Sequence, residues 1–445
     1  MAKKFRIAFH TLGCKVNQNE TEAFSALFRE KGYEIVNFEE KADVYVINTC
    51  TVTHLADRKS RQMIRRALKF NPQAYVVVTG CYAQTNSETI RKIAGVNLIV
   101  GTNEKSRLVD LVEKLLIKEN LGRKKQDPLI FVRKYQRGQE FEEIKVEKNI
   151  ERARAYLKVQ EGCDQFCSYC IIPYARGPVR SRSLENTLVE AKKLIEAGFK
   201  EIVLLGIHLG AYGREQGTGK NLVFLLKQLL PLSDQVRWRL GSLEPVEVNR
   251  ELLELMQEYQ NFCPHLHLPL QSGHDQILKA MRRPYSTEQY LEIVTEIRKR
   301  IPEIALTTDV MVGFPGETDE YFQTYLNFVE KIAFSRLHVF KYSPRKGTPA
   351  AKFQAQVPFS VKEARSRQML RLGEKLEKQY AEKFLGRIVD VLVEEKVADC
   401  LWEGSSTNYL KVRFNFPTAP RGQVIPIQLK RVEKNYCSGD VFSIQ

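Results

Sequence analysis

The sequence has no long apolar run. No stretch of its 445 residues approaches the roughly 20 apolar residues that a membrane-spanning helix requires. The first ten residues, Met-Ala-Lys-Lys-Phe-Arg-Ile-Ala-Phe-His, lack the apolar segment and small-residue cleavage site of a secretory signal. These absences argue against a membrane or secreted protein, and we expect a cytoplasmic one.

The sequence also lacks a disulfide framework. It contains 9 cysteines, an odd number, and they are scattered along a large chain rather than clustered in a small one. This usage fits reduced thiols and metal ligation better than disulfide bonds.

Acidic residues are in deficit. The chain has 69 Lys and Arg against 53 Asp and Glu, a net charge of +16, which favours a polyanionic partner. Two predicted helical segments concentrate this charge, although a solvated helix face explains each of them equally well. The first segment carries Arg58, Lys59, Arg61, Arg65, Arg66 and Lys69, and the second carries Lys362, Arg365, Arg367, Arg371, Lys375, Lys378 and Lys383.

Residues 1–118 alternate short β-rich runs with helical stretches, a pattern that predicts a doubly wound parallel sheet. The length of the chain indicates two to four domains. The predicted strands are Phe5–His10, Val44–Asn48, Ala74–Thr79 and Val96–Val100, and the predicted helices span 19–31, 55–69 and 86–94.

Cysteines follow three of these strands. Cys14 comes after the first strand, Cys50 closes the second and Cys81 follows the third. The carboxyl ends of parallel strands share one edge of a sheet, where doubly wound folds bind ligands. The three thiols can therefore converge on a metal cluster. Three independent thiols packed at strand ends are the alternative.

The rest of the chain predicts three further segments. Residues 119–150 are charged and irregular and read as a connection with a short strand or two at most. Residues 151–380 hold six βα units, typical of a partial (β/α)6 barrel, and a long helix is predicted over 360–385. Residues 381–445 predict a small β-barrel with turns at Gly404, Gly422 and Gly439. The predicted strands of the central domain are Tyr156–Val159, Glu201–Leu205, Val236–Leu240, His265–Leu268, Ala305–Val310 and Leu337–Phe340, and those named in the barrel are Val389–Val393 and Tyr409–Arg413.

A second group of cysteines lies in one short loop. Cys163, Cys167 and Cys170 have the spacing Cys-x3-Cys-x2-Cys, directly after a predicted strand that ends near Gln160. Three thiolates on one loop can ligate three irons of a 4Fe–4S cube, and the run has no fourth cysteine, so one iron stays open for a small chelating molecule. A chance cluster of buried cysteines is the alternative, but it is rare at this cysteine content.

A pair of alternating histidines, His265 and His267, also suggests a metal site. No nearby carboxylate or histidine in the sequence completes three ligands. We therefore expect satisfied core histidines or histidines that contact a substrate.

The loop spacing resembles that of the radical SAM enzymes, and the whole chain resembles the methylthiotransferases within that superfamily. The matching motifs include Thr11-Leu-Gly-Cys-Lys-Val-Asn-Gln18, Asn48-Thr-Cys50 and Gly80-Cys81. The C-terminal module resembles the TRAM domain, which in this family is taken to hold tRNA. Further matches are Leu205–Gly213, Leu266–Gly273, Asp309–Thr318 and Phe340–Ala350.

The first motif looks most similar to that of the subfamily acting on threonylcarbamoyladenosine in tRNA. Related subfamilies act on isopentenyladenosine or on a ribosomal-protein aspartate and carry different residues around the first cysteine. Asn19 departs from the tyrosine expected there, beside intact cysteines. The implied reaction is methylthiolation of C2 of adenosine-37, with reductive cleavage of S-adenosylmethionine to a 5′-deoxyadenosyl radical.

The resemblance also implies cofactors and site residues. Two 4Fe–4S clusters are implied, one held by Cys163, Cys167 and Cys170 and an auxiliary one held by Cys14, Cys50 and Cys81. Two S-adenosylmethionine molecules and a flavodoxin or ferredoxin electron donor complete the set. By the same analogy Tyr169 lies against the adenine, Gly206 meets the methionine amino group, and the turn from Gly313 to Gly316 meets the adenine.

Charge for the threonylcarbamoyl carboxylate could come from Lys15 or from the stretch Arg176–Arg182. Two rival functions remain. A cobalamin-dependent radical SAM methylase would need none of the three strand-end cysteines. An iron–sulfur RNA-binding protein without catalysis would gain from a fourth ligand in the loop.

Overall fold

The computed structural model describes residues 5–119, 127–136, 138–144, 152–418 and 420–442. The chain forms two compact units, one made of residues 1–149, 160–182 and 343–351 and the other of 150–159, 183–342 and 352–445. Parts of the predicted connection over 119–150 lie outside the described residues. Among the described residues, no helix has the length and apolar character needed to cross a membrane.

The first unit contains a six-stranded parallel sheet in the order β2-β1-β3-β4-β5-β6. Alternate residues of β3 enter opposite cores: Val44 and Val46 pack with helices α1 and α5, and Tyr45 and Ile47 pack with α2 and α4. Apolar layers on both faces confirm the doubly wound prediction. The strands are β1 Arg6–Thr11, β2 Glu34–Val36, β3 Val44–Thr49, β4 Tyr75–Gly80, β5 Val96–Val100 and β6 Leu129–Phe131, and the helices are α1 Lys15–Glu30, α2 His54–Phe70, α3 Cys81–Thr85, α4 Ser87–Arg91 and α5 Leu108–Glu119.

The segment 160–182 also belongs to the first unit. It begins with β8 Gln160–Glu161, which pairs antiparallel with β9 Arg180–Ser181, and it contains the short helix α6 Ile172–Arg176. The two short strands close the base of the loop that carries Cys163, Cys167 and Cys170.

The second unit contains two three-stranded parallel sheets, β11-β10-β7 and β12-β13-β14. A parallel bridge between Ser242 and His267 links them, so six strands follow one another in chain order and confirm the partial barrel. The strands are β7 Ala155–Lys158, β10 Glu201–Leu205, β11 Arg237–Leu240, β12 His265–His267, β13 Ala305–Val312 and β14 Arg336–Lys341, and the helices are α7 Leu184–Glu196, α8 Leu222–Leu229, α9 Arg250–Glu258, α10 Asp275–Ala280, α11 Thr287–Arg300, α12 Asp319–Ile332 and α13 Phe359–Glu382.

A closed five-stranded barrel ends the second unit, as predicted. Two of the three predicted turns are wrong, because Gly404 and Gly439 lie inside strands. A Cβ at Gly404 would lie 2.1 Å from the Leu392 carbonyl oxygen, so glycine here permits close approach of two strands rather than a turn. Gly422 does lie in a turn. The strands are β15 Ile388–Ala398, β16 Leu401–Ser406, β17 Lys411–Asn415, β18 Val424–Val432 and β19 Cys437–Val441.

Candidate active site

Three cysteines of the first unit lie where neighbouring parallel strands end. Cys14 is the N-cap residue of α1, Cys50 directly follows β3 and Cys81 is the first residue of α3 after β4. Strands β1, β3 and β4 are adjacent in the sheet, so their carboxyl ends share one edge. The fold therefore brings the three strand-end thiols to the same edge.

These thiols are close to one another. A Cβ placed on Gly13 would lie 3.2 Å from the Cys50 Sγ, which puts Cys50 against the residue before Cys14. Burial, with a smaller contribution from the neighbouring Cys81 and Cys14, raises the pKa of the Cys50 thiol to about 12. Cys14 is exposed and Cys50 and Cys81 are buried, so the group opens to solvent on one side.

The donors of this group are thiols, the soft ligands that iron–sulfur clusters use. Among the described residues, no three His, Cys, Asp or Glu side chains are arranged to hold one metal ion. A 4Fe–4S cube places each thiolate on a different iron, so its ligands need not converge on one point. The described cysteines form no disulfide bonds, and soft thiolate sulfur suits iron–sulfur clusters.

The second cysteine triplet lies on a loop of defined backbone. The Cys163 N–H donates to the Gly177 carbonyl at 3.0 Å, and the Cys170 N–H donates to the Cys167 carbonyl at 3.0 Å. The Ile172 N–H also donates to the Cys170 Sγ at 3.4 Å, a bond that favours a thiolate.

Gly162 is required at the start of this loop. Its φ of +79° lies in the left-handed region, and a Cβ there would lie 1.8 Å from the Pro178 carbonyl oxygen. The chain can therefore turn from β8 into the cysteine loop only with glycine at this position.

A buried arginine connects the two cysteine groups. The Arg176 Nε donates to the Cys81 Sγ at 3.1 Å, and its Nη1 donates to Glu20 at 2.6 Å and to Glu161 at 2.7 Å. Glu161 lies two residues before Cys163, so one side chain links both cysteine regions within the first unit.

The arginines predicted as partners for a substrate carboxylate are engaged by the protein itself. Arg176 is fully buried in its ion pairs, Arg180 donates to the carbonyls of Pro178 and Arg176, and Arg182 pairs with Glu143. Lys15, the other candidate in the sequence, is half-buried at the start of α1.

Arg345 fixes the turn that follows Cys50. Its Nη2 donates to Asp57 at 2.6 Å and to the Thr51 hydroxyl at 2.7 Å. The same segment reaches the second loop, since the Ala350 N–H donates to the Ser168 carbonyl at 2.8 Å.

Arg176 and Arg345 both lie in stretches whose motifs are visible in the sequence, but sequence reasoning assigned neither of them a structural role. Spacing alone does not identify the carboxylate that pairs with a buried arginine. The available signal is a single arginine inside a short motif rich in glycine and proline, and it could have pointed to a structural role for Arg176 and Arg345.

The remaining predicted site residues are placed separately. Tyr169 is half-buried in the cysteine loop of the first unit. In the second unit Gly206 directly follows β10, and Gly313 directly follows β13 with its N–H donating to Glu317 at 2.8 Å. Gly316 has a φ of +86° and donates to the Ala355 carbonyl at 2.8 Å. The glycines thus lie at or just beyond the carboxyl ends of strands, where barrel folds keep their chemistry.

The two alternating histidines have different surroundings. His265 is buried, with its Nε2 3.1 Å from the Thr307 hydroxyl and its ring against Tyr409. The His267 Nδ1 lies 2.9 Å from the same hydroxyl, and its Nε2 lies 3.4 Å from Asp309. His265 is therefore a core histidine with a hydrogen-bond partner at Nε2 and, among the described residues, none at its buried Nδ1, and His267 is partly accessible.

Two family models match the chain. The model described as Uncharacterized protein family UPF0004 matches residues 6–101, and the Radical SAM superfamily model matches residues 157–329. The first match covers strands β1 to β5 of the sheet with Cys14, Cys50 and Cys81, and the second covers the loop with Cys163, Cys167 and Cys170.

Several curated proteins are similar over nearly the whole chain. The threonylcarbamoyladenosine tRNA methylthiotransferase MtaB of Bacillus subtilis is 41% identical over 438 residues, 97% of this chain and 95% of that protein. The protein of the same name from Aquifex aeolicus is 42% identical, with 88% of this chain and 93% of that protein covered. The tRNA-2-methylthio-N(6)-dimethylallyladenosine synthase of Acetivibrio thermocellus is 33% identical, with 99% and 91% covered.

A solved structure shares the fold. The radical S-adenosylmethionine methyltransferase TsrM from Kitasatospora setae matches with a TM-score of 0.57 at 14% identity, covering 77% of this chain and 77% of that chain. At this identity the likeness concerns the fold alone.

Proposed function

The chain belongs to the radical SAM tRNA methylthiotransferase family, and we propose that it methylthiolates C2 of N6-threonylcarbamoyladenosine at position 37 of tRNA. The observation that carries the proposal is the presence of two cysteine triplets in one compact unit, joined through Arg176. The 41% identity to a relative named for this reaction supports it.

The family implies S-adenosylmethionine and a 4Fe–4S cluster, and the open position of the Cys-x3-Cys-x2-Cys loop suits both. When bound, these groups supply a carbon radical. That chemistry has a physical purpose here, because the hydrogen on C2 of the adenine is not acidic and no side-chain base in a protein can remove it.

We assign Cys163, Cys167 and Cys170 to the cluster that cleaves S-adenosylmethionine. Cys14, Cys50 and Cys81 would hold a second 4Fe–4S cluster, which would supply the sulfur for the methylthio group. The exposure of Cys14 supports this role, since the sulfur carrier must be reachable from solvent.

By the family analogy we assign contacts with S-adenosylmethionine to Tyr169 of the first unit and, separately, to glycine turns at strand ends of the second unit. In this assignment Tyr169 lies against the adenine, Gly206 meets the methionine amino group, and Gly313 and Gly316 meet the adenine. The left-handed backbone of both Gly313 and Gly316 supports close approach of a ligand to these turns.

The proposed substrate carries a carboxylate on its threonyl group, so its pocket should contain a positive or hydrogen-bonding partner. Lys15 is our candidate, because it directly follows Cys14, one of the cysteines assigned to the second cluster, at the start of α1. An isopentenyl group would instead favour an apolar pocket.

The domain division and the partners follow from the same assignment. We propose a methylthiotransferase domain over 1–118, a connection over 119–150, a radical SAM domain over 151–380 and a TRAM-like barrel over 381–445. A flavodoxin or ferredoxin would supply the electrons. Because its substrate is tRNA and its thiolates must stay reduced, we place the enzyme in the cytoplasm.

The alternatives are methylthiolation of isopentenyladenosine tRNA or of a ribosomal-protein aspartate, and a cobalamin-dependent radical methylation. The fold likeness to TsrM does not favour cobalamin chemistry, because it concerns backbone topology alone. Three cysteines converging at one edge of the first sheet favour a thiolate-ligated cluster there.

The decisive experiment gives the anaerobically reconstituted enzyme two tRNAs, one bearing threonylcarbamoyladenosine and one bearing isopentenyladenosine. We expect the methylthio product only on the first, detected by mass spectrometry of the digested tRNA. Product only on the isopentenyl tRNA would refute the substrate and leave the enzyme class intact.

A matched variant tests the two clusters in the same assay. Replacing Cys14, Cys50 and Cys81 by Ala should lower the iron content from roughly eight to about four atoms per chain. Cleavage of S-adenosylmethionine should survive while sulfur insertion is lost. Full iron content in this variant would show that the second cluster is held elsewhere.

A further inference from the structure

Arg176 lies at the centre of a fully buried polar network in the first unit. Its guanidinium donates to Glu20, to Glu161 and to the Asn17 side-chain oxygen, and it also contacts the sulfur of Cys81. The Arg176 side chain has 0% exposure, and Glu20 and Glu161 have 1% and 5%. An arginine this deeply buried is held in one orientation by its partners.

The charges of this network balance without the cysteine. Arg176 and Lys105 supply two positive charges, and Glu20 and Glu161 supply two negative ones. The Nε–H directed at Cys81 is therefore not needed to neutralise a carboxylate. It is a donor aimed at a sulfur atom that becomes anionic when it ligates iron.

Hydrogen bonds to ligating sulfurs are one of the factors that set the reduction potential of an iron–sulfur cluster. A donor and a nearby positive charge stabilise the more negative, reduced form, so they make the potential more positive. The 3.1 Å separation of the Arg176 Nε and the Cys81 Sγ is within the range of such a bond.

We propose that Arg176 is a positioning residue that sets the reduction potential of the cluster held by Cys14, Cys50 and Cys81, through its hydrogen bond to the Cys81 sulfur. This inference rests on the proposed function, which supplies that cluster. Arg176 also binds Glu161 at the base of the other cysteine loop. The orientation of the Arg176 Nε–H therefore depends on the position of that loop.

The test uses the full chain with Cys163, Cys167 and Cys170 replaced by Ala, so that the auxiliary cluster alone remains. In this background, Arg176→Lys keeps the positive charge but loses the fork that reaches both the carboxylates and the sulfur. Reductive titration followed by electron paramagnetic resonance should give a more negative midpoint potential for Arg176→Lys than for the parent. An unchanged potential at equal iron content would overturn the proposal.

Lys105→Arg is the matched control. It is an equally conservative exchange in the same network, and Lys105 pairs with Glu20 and Glu161 rather than with a cysteine. We expect its midpoint potential to equal that of the parent. If the midpoint potential shifts equally in both variants, the effect comes from general disturbance of the network, and the specific role of Arg176 is overturned.

The parent background supplies an answer even if Arg176→Lys does not retain iron. In protein labelled with 15N-arginine, double-resonance spectra of the reduced cluster should show coupling to an arginine nitrogen, and its absence would contradict the bond. Fewer than about four irons in the parent background would instead refute the second cluster of the proposed function, so the two failures are distinguishable.

Discussion

Single buried arginines organise the loops that carry the cysteines. Arg345 is 4% exposed and donates to Asp57 and to Thr51, the residue after Cys50. Asp57 is also buried, so the pair is removed from water on both sides. Removing one partner of such a pair is strongly destabilising, because it leaves the other charge buried and uncompensated.

We expect Arg345→Met to destabilise the first unit by roughly 3–5 kcal/mol, because the Asp57 carboxylate would stay buried without its cation. The measurement is the midpoint of thermal unfolding of the full chain. Adding Asp57→Asn to Arg345→Met removes the uncompensated charge and should restore part of the loss. If the single variant melts like the parent, the pair contributes no net stability.

At the scale of elements, the basic helices α2 and α13 differ in how many of their Lys and Arg side chains are exposed and unpaired. On α13, Lys362 and Arg365 are buried, and Lys375 and Lys378 pair with Glu330 and Glu382. The basic residues of this segment are therefore not all on a solvated face of the helix. On α2, by contrast, Arg58, Lys59, Arg65 and Lys69 are exposed, and they form no ion pair within the part of the chain that the structure describes.

Helix α2 is therefore the better candidate for contact with tRNA phosphates. Replacing Arg58, Lys59 and Arg65 together by Gln should weaken tRNA binding and reduce the salt dependence of affinity by about one unit of slope per lost phosphate contact. Fluorescence anisotropy at several salt concentrations measures both quantities. Arg367→Gln with Arg371→Gln on α13 is the control, and an equal loss there would assign the effect to net charge alone.

At the scale of the whole molecule, an ion-pair network around Glu201 connects the partial (β/α)6 barrel to the C-terminal β-barrel of the second unit. Glu201 on β10 pairs with Arg237 and Arg239 on β11 and with Arg154. Arg239 also donates to the carbonyls of Ser406 and Thr407 in the C-terminal barrel. Removing that barrel would expose these arginines, so surface substitutions test its role in tRNA binding more cleanly than truncation.

The stability of this junction should depend on pH. Burial by itself raises the pKa of the Glu201 carboxyl, but the three arginines outweigh burial and hold it well below its usual value of 4.5. A lowered pKa in the folded state means that the carboxylate stabilises the fold at neutral pH and that this contribution is lost as pH falls below 4.5 toward the folded-state pKa.

Glu201→Gln should therefore lower the stability of the second unit by roughly 3–5 kcal/mol at pH 7, because three arginines lose their anion. The difference between parent and variant should shrink as pH is lowered below 4.5. Thermal unfolding of both proteins across this range provides the measurement. A difference that grows toward acid pH would contradict the assigned role of Glu201.

Strand positions and the edge that gathers the first three cysteines could be predicted from the sequence. The run Val44–Thr49 is apolar and β-branched enough to form a central strand by itself, and the parallel βα order sends Cys14, Cys50 and Cys81 to one edge. The prediction of turns at Gly404 and Gly439 is wrong, because their requirement for glycine comes from a neighbouring strand and not from the local chain.

The sequence by itself thus determined where the strands lie and at which edge of the sheet Cys14, Cys50 and Cys81 meet. Strand formation depends on a few neighbouring residues, and the shared edge follows from a general rule of parallel topology. Only the tertiary structure decided which charges are available. Arg176 meets Cys81 across 95 positions of sequence, and Arg345 meets Asp57 across 288. An ion pair or a hydrogen bond depends on distance and burial after folding, and those quantities exist only once the elements have packed together.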